Sequence, residues 1–160
     1  MIMDKKIIAY CDGGARGNPG PAAIGVAADL RGFTPLDKLS NGASAGSRGI
    51  KEYSEYIGRG TNNEAEYQAI LFALKKIKHL IGNEKAKKST IEIKSDSELV
   101  VNQLNGENKI KEKNLQQLFI TIWNLKQDFK KVNFNYISRE ENKEADRLVN
   151  RELDSQKGLF

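Results

Sequence analysis

A mixed α/β fold is the class this sequence predicts, and three observations predict it. Apolar runs of strand length occur five times, interleaved with amphipathic stretches of helical period. The first three runs follow one another with only turn or loop residues between, as an antiparallel meander requires. Each later run is separated from its predecessor by helix, which favours parallel pairing with a right-handed crossover. The order β β β α β α α β α therefore gives a five-stranded mixed sheet, three antiparallel strands followed by parallel βαβ pairing, with helices on its faces.

The elements follow in order. Lys6 to Cys11 reads as a buried strand, and Gly13 to Gly20 as a turn rich in residues that tolerate unusual dihedrals. Ala22 to Leu30 and Tyr53 to Arg59 complete the meander. Between them Arg31 to Ile50, with four glycines and three serines, reads as a long connection or as an arm that orders on substrate. Thr61-Asn62-Asn63-Glu64 is a capping box. Its helix carries Tyr67, Ile70, Leu71, Leu74, Ile77 and Ile81 at helical spacing and ends at Gly82. Thr90 to Lys94 is the fourth strand, followed by a short helix from about Ser95 to Gly106. A longer helix covers Asn114 to Phe129, where Trp123 is expected in the core with Leu115, Leu118, Phe119, Ile122 and Leu125. Val132 to Ile137 is the fifth strand. Ser138-Arg139-Glu140-Glu141 is a second capping box, opening a helix with Ala145, Leu148, Val149 and Leu153 inward. With no internal repeat, residues 1–160 read as one domain.

Composition narrows the class. At 39% hydrophobic and 29% charged, the chain is globular rather than disordered. No apolar run is long enough to cross a bilayer, and Met1 to Lys6 lacks a signal-peptide pattern. The single cysteine, Cys11, excludes an internal disulfide and fits a reducing compartment, with the cytoplasm as the expectation. The net charge of +5 suits a polyanionic partner.

Four carboxylates then stand out, each in its own motif: Asp12 in Tyr10-Cys11-Asp12-Gly13-Gly14, Glu66 in Glu64-Ala65-Glu66-Tyr67, Asp96 in Ser95-Asp96-Ser97, and Asp146 in Glu144-Ala145-Asp146. Each sits at a strand end or on a helix that must lie against the sheet. Taken singly they have ordinary readings: Asp12 as a turn residue, Glu66 as part of a cap, Asp96 as an N-cap and Asp146 as a solvated helix residue. Gathered at one sheet edge, they would repel unless cations lay between them. Hard divalent ions take oxygen ligands, and an ion pair is suited to in-line phosphodiester cleavage. Glycines at 13 and 14 let a substrate backbone come close.

These motifs, together with Arg16-Gly17-Asn18-Pro19-Gly20, Thr61-Asn62-Asn63 and Arg139-Glu140-Glu141-Asn142, resemble those of ribonuclease H, type 1, over most of the chain, from Ile7 to Asn150. The wording of the last motif looks most like the archaeal and small bacterial branch. The resemblance implies hydrolysis of the RNA strand of an RNA/DNA hybrid, leaving a 3′-hydroxyl and a 5′-phosphate, with two Mg²⁺ ions that Mn²⁺ can replace. It implies that Asp12, Glu66, Asp96 and Asp146 are the catalytic and metal-binding acids. It further implies that Gly13, Gly14, Asn18, Asn62 and Asn63 contact the hybrid, and that Arg59 and Thr61 form a pocket for a DNA-strand phosphate. Double-stranded RNA as a second substrate and a binding-only module of the same fold are the alternatives. A monomer and no membrane partner are expected.

Two departures from the family pattern matter. Many members carry a His in the loop before the last acid. Here the only His is His79, among lysines on the first long helix, and Arg139, Glu140 and Glu141 are the groups available instead. The stretch Glu107 to Lys113 is too short for a basic helical protrusion, and the sequence holds no separate hybrid-binding domain. Modest affinity with steep salt dependence is therefore expected. The lysine clusters at 75–78 and 85–88 read as solvated surface. The tail from Asp154 to Phe160 reads as folding back, since it lacks the full pattern of a clamp-docking peptide.

Overall fold

Five strands form one sheet in this computed structural model, which describes residues 5–32 and 49–156. The strands are β1 (Lys5–Ala15), β2 (Gly20–Asp29), β3 (Ile50–Gly60), β4 (Ser89–Ser95) and β5 (Lys131–Tyr136). Their spatial order is β3-β2-β1-β4-β5. β2 pairs antiparallel with β1 and β3, whereas β1, β4 and β5 are parallel. The helices are α1 (Asn62–Ile81), α2 (Asn83–Ala86), α3 (Glu98–Leu104), α4 (Lys113–Lys126) and α5 (Lys143–Ser155). The mixed sheet expected from the sequence is the one found. Most of the Arg31–Ile50 segment, residues 33–48, and the tail beyond residue 156 lie outside the described residues.

Alternation along β1 sorts the two faces. Ile7, Ala9 and Cys11 point into the main core with Ile91 and Ile93 of β4, and α1 covers them with Ile70, Leu74 and Ile77. α4 adds Leu115 and Ile122 behind α1. Each of these aliphatic side chains contributes about 1.5–3 kcal/mol by leaving water. Burial above all, and then the charges of Glu66 and Asp12, push the Cys11 thiol far above its ordinary range, so it stays a protonated core group. On the opposite face α5 lies on β2 and β3, with Ala23 against Val149 and Leu153. Gly25 makes this approach possible: a Cβ there would sit 2.4 Å from the Ala145 carbonyl oxygen.

Several boundaries differ from the sequence expectation. β1 continues through Gly13 and Gly14 to Ala15, so these glycines are strand residues and the turn is confined to residues 16–19. Gly13 is required because α1 crosses it: a Cβ would lie 2.2 Å from the Ala65 carbonyl carbon. The close approach it permits is thus to helix backbone. β3 begins at Ile50, and the one-turn α2 was not anticipated. α4 ends at Lys126, three residues early. Trp123 is 51% exposed, and Leu99 also faces solvent. The inward stripe of α4 is Leu115, Leu118, Ile122 and Leu125, and Trp123 lies on the flank of that stripe.

Candidate active site

At the C-terminal ends of the parallel strands β1 and β4 the chain brings three acids together. Asp12 sits within β1, opposite Gly25, rather than at the strand's end. Glu66 is the fifth residue of α1, in its second turn, and Gly13 lets that turn lie on the strand. Asp96 follows β4 directly, and it is not a helix cap. Ser97 caps α3, its hydroxyl accepting from the Val100 N–H at 3.4 Å, which leaves the Asp96 carboxylate to face the cleft. Carboxylate oxygens of Asp12, Glu66 and Asp96 all lie within 4.8 Å of one another.

Asp146 completes the rim but stands apart from this tight group. The second capping box opens a 3₁₀ turn, Arg139–Asn142, in which Ser138 accepts from the Glu141 N–H; α5 begins after it. Asp146 therefore lies in the first turn of α5, exposed, and lines the same cleft of about 650 Å³.

The electrostatics follow from crowding and burial. Asp12 is pushed up to about 7, first by loss of water and then by the charges of Asp96 and Asp146, although a hydrogen bond with Glu66 opposes the rise. Glu66, 8% exposed, is raised well above the usual carboxylate range by burial and by Asp12. Asp96 is raised by burial, with the Arg139 guanidinium pulling the other way. Positive charge among these oxygens would reverse the unfavourable balance. The donor set is all oxygen, with neither imidazole nor available thiolate, and it fits a hard divalent cation.

Side chains that sequence reasoning passed over hold this arrangement. The Ser95 hydroxyl donates to Glu66 Oε2 at 3.5 Å and accepts from the Ser97 N–H at 3.1 Å. Asn142 is fully buried; its amide donates to the Cys11 carbonyl at 2.9 Å and hydrogen-bonds Asp96, while its Oδ1 has no partner. One side chain thus ties β1 beside Asp12, the Asp96 loop and the start of the Asp146 helix. Its only sequence signal is its place four residues before Asp146.

The residues expected at the substrate divide into two groups. Gly13, Gly14, Asn62 and Asn63 line the cleft with Arg139. Asn18, Arg59 and Thr61 do not line it. Asn18 Oδ1 accepts from the Asn62 N–H at 3.0 Å, and Asn62 Oδ1 from the Ala15 N–H at 2.9 Å, so the two asparagines fasten the β1–β2 turn to the start of α1. The Thr61 hydroxyl is engaged with Glu64 as the N-cap. Arg59 is exposed near the end of β3. His79 is exposed, away from the acids, as expected.

The profile of the reverse transcriptase-like family matches residues 48–152. LC11-RNase H1, isolated from compost by a metagenomic approach, is 39% identical with a TM-score of 0.77, over 98% of this chain and 99% of that one. The same protein has been solved in complex with an RNA/DNA hybrid. RNase H1 from the halophilic archaeon Halobacterium salinarum is 32% identical with a TM-score of 0.75, over 94% of this chain and 98% of that one. A bifunctional protein of Mycobacterium tuberculosis is 33% identical over 150 residues, which are 94% of this chain and 36% of that protein. The chain thus spans about a third of the length of the mycobacterial relatives it matches.

Proposed function

The chain belongs to the type 1 ribonuclease H family, and from that membership we propose that it is an endoribonuclease cutting the RNA strand of RNA/DNA hybrids. The observation that carries the reading is the group of three carboxylates within 4.8 Å, Asp12 on β1, Asp96 just after β4 and Glu66 on α1, lining one cleft with Asp146. Asp12, Glu66 and Asp96 would hold divalent cations, with Asp146 completing the set, and Mg²⁺ or Mn²⁺ suits the oxygen donors. When bound, two such ions supply charge stabilisation for the attacking and leaving oxygens of a phosphodiester.

The protein's own groups position the duplex. Asn62 Oδ1 is occupied by the Ala15 N–H, which leaves its amide NH₂ to offer the hybrid. Asn63 lines the cleft beside it, and together they suit reading of the 2′-hydroxyl that separates RNA from DNA. Arg139 lines the same cleft and brings the positive charge nearest Asp96. Of the three groups available in place of the loop His it alone lines the cleft, and there it orients a phosphate oxygen. Ser95 and Asn142 keep Glu66 and Asp96 in place.

The test is cleavage of end-labelled RNA annealed to DNA, with Mg²⁺ or Mn²⁺, beside double-stranded RNA, single-stranded RNA and double-stranded DNA. Cutting of the hybrid's RNA that Asp12→Asn abolishes is the expected result. Additional cutting of double-stranded RNA would widen the substrate class. Folded protein that cuts nothing would overturn the nuclease reading.

A further inference from the structure

Along the outer edge of the sheet lies a groove of about 430 Å³ that the chemistry above does not use. It runs between the C-terminal end of α4 and β5, the edge strand. Lys126, Lys130 and Lys131 stand in it with Gln127, Asn133 and Asn135, and no acid lines it. The acids nearest in sequence and register are already engaged. Glu92 is held by Lys6 at 3.3 Å and by the amides of Asn133 and Asn135, and Asp128 by Lys78 at 2.8 Å. Among the described residues no carboxylate pairs with Lys126 or Lys131.

The lysine ammonium groups are of the kind that contacts phosphate oxygens rather than bases, while the Asn133 and Asn135 amides stay on Glu92 and that of Gln127 on the Trp123 carbonyl. Both aromatic rings in the groove, Phe129 and Phe134, are buried and offer no stacking platform. The groove shares no lining residue with the cleft, but one strand relates the two. The β4–β5 register sets Tyr136 opposite Ser95, the residue before Asp96, while Lys131 lies about 17 Å farther down the same strand. A duplex leaving the cleft along this edge meets the lysines after roughly five base pairs.

We propose that this groove is a second contact for a nucleic-acid phosphate backbone, gripping the flank of the same hybrid whose scissile bond sits in the cleft. The proposal rests on the nuclease reading for its substrate. It does not depend on a basic protrusion between α3 and α4, which the chain lacks.

The test compares the full chain with its Lys126→Gln/Lys130→Gln/Lys131→Gln variant. Binding is measured by fluorescence anisotropy in an Asp12→Asn background with Mg²⁺ across a range of salt. Two hybrids are used, one ending at the cleft and one extending about 30 Å past it, roughly nine base pairs. On the long hybrid the triple variant should bind more weakly, and its slope of log affinity against log salt should be shallower by about 2 to 3, near 0.9 per lost contact. Binding and cleavage of the short hybrid should be unchanged, cleavage being read in chains that retain Asp12. Equal weakening on both lengths would mean a diffuse field and would overturn the proposal, as would no change on either. Long-hybrid weakening that a second, unlinked duplex competes away without displacing the short hybrid would also overturn it, since the groove would then bind a separate molecule. If the triple variant fails a thermal melt, Lys131→Gln alone, at an exposed position, should lower the slope by about 1. Should wild-type chain cut no hybrid, the nuclease reading fails, and the length-dependent binding difference still decides the groove.

Discussion

Asp12 concentrates the conflict that this site is built on. Its carboxyl, like that of Glu66, ionises less readily in the folded chain than in the unfolded one. A raised folded value means that the folded state binds more protons, so the stability of the cation-free protein falls as pH rises from about 4 through 7. Asp29 and Glu92 work in the opposite sense, because their depressed values favour folding above about pH 4. Thermal melts in chelator should therefore give a higher Tm near pH 5.5 than at pH 8, and Mg²⁺ should recover the loss at pH 8. A chelated protein more stable at pH 8 would contradict this. Asp12→Asn should stabilise the chelated protein at pH 8 by on the order of 1–3 kcal/mol, while cutting the rate by roughly 10²-fold or more. Asn142→Ala removes the donor to the Cys11 carbonyl and should cost about 1–3 kcal/mol in urea unfolding. A loss below a few tenths would show that the tie does not matter.

Among the elements, α1 is the one whose placement decides the site. Gly13→Ala would set a methyl into the Ala65 carbonyl, so the helix must shift and Glu66 must move with it. About 3 kcal/mol of stability should be lost, together with most cation affinity, measured by denaturation and by calorimetric titration. Asn18→Ala, which removes the acceptor of the Asn62 N–H but leaves the Thr61 cap, should cost about 1 kcal/mol and leave cation affinity nearly intact. These cases show what the sequence made legible. The strands, α1 and α5 follow from period, and the four acids from their motifs. Paired glycines signal a turn by local chemistry, which hides the reach of β1 through Gly13-Gly14, whereas here α1, from far along the chain, demands the first of them. Composition misplaces Trp123: at 3.6 residues per turn it lies about 100° from the centre of the α4 stripe, which its neighbour Ile122 occupies. Asp96 escaped the helix because Ser97 takes the cap.

For the whole molecule, charge is divided between a cleft of crowded acids and a basic surround. The chain carries 26 lysines and arginines against 21 acids, and three of those acids are drawn into one cluster. Binding to any duplex should therefore be steeply salt-dependent, with a loss of about 10³-fold or more between 50 and 200 mM salt if six or more phosphates are contacted. A salt-insensitive affinity in the same titration would refute this picture.

The order in which the acids occur along the chain bears on biosynthesis. Asp146 stands on α5, and α5 follows every strand of the sheet in sequence while lying across β2 and β3. A nascent chain with α5 still inside the ribosomal exit tunnel has exposed Asp12, Glu66 and Asp96 but not the fourth acid. The apolar face of β2 around Ala23 and Gly25 is then bare of its cover. An acid set that closes only when α5 docks stays incomplete for as long as α5 remains in the tunnel.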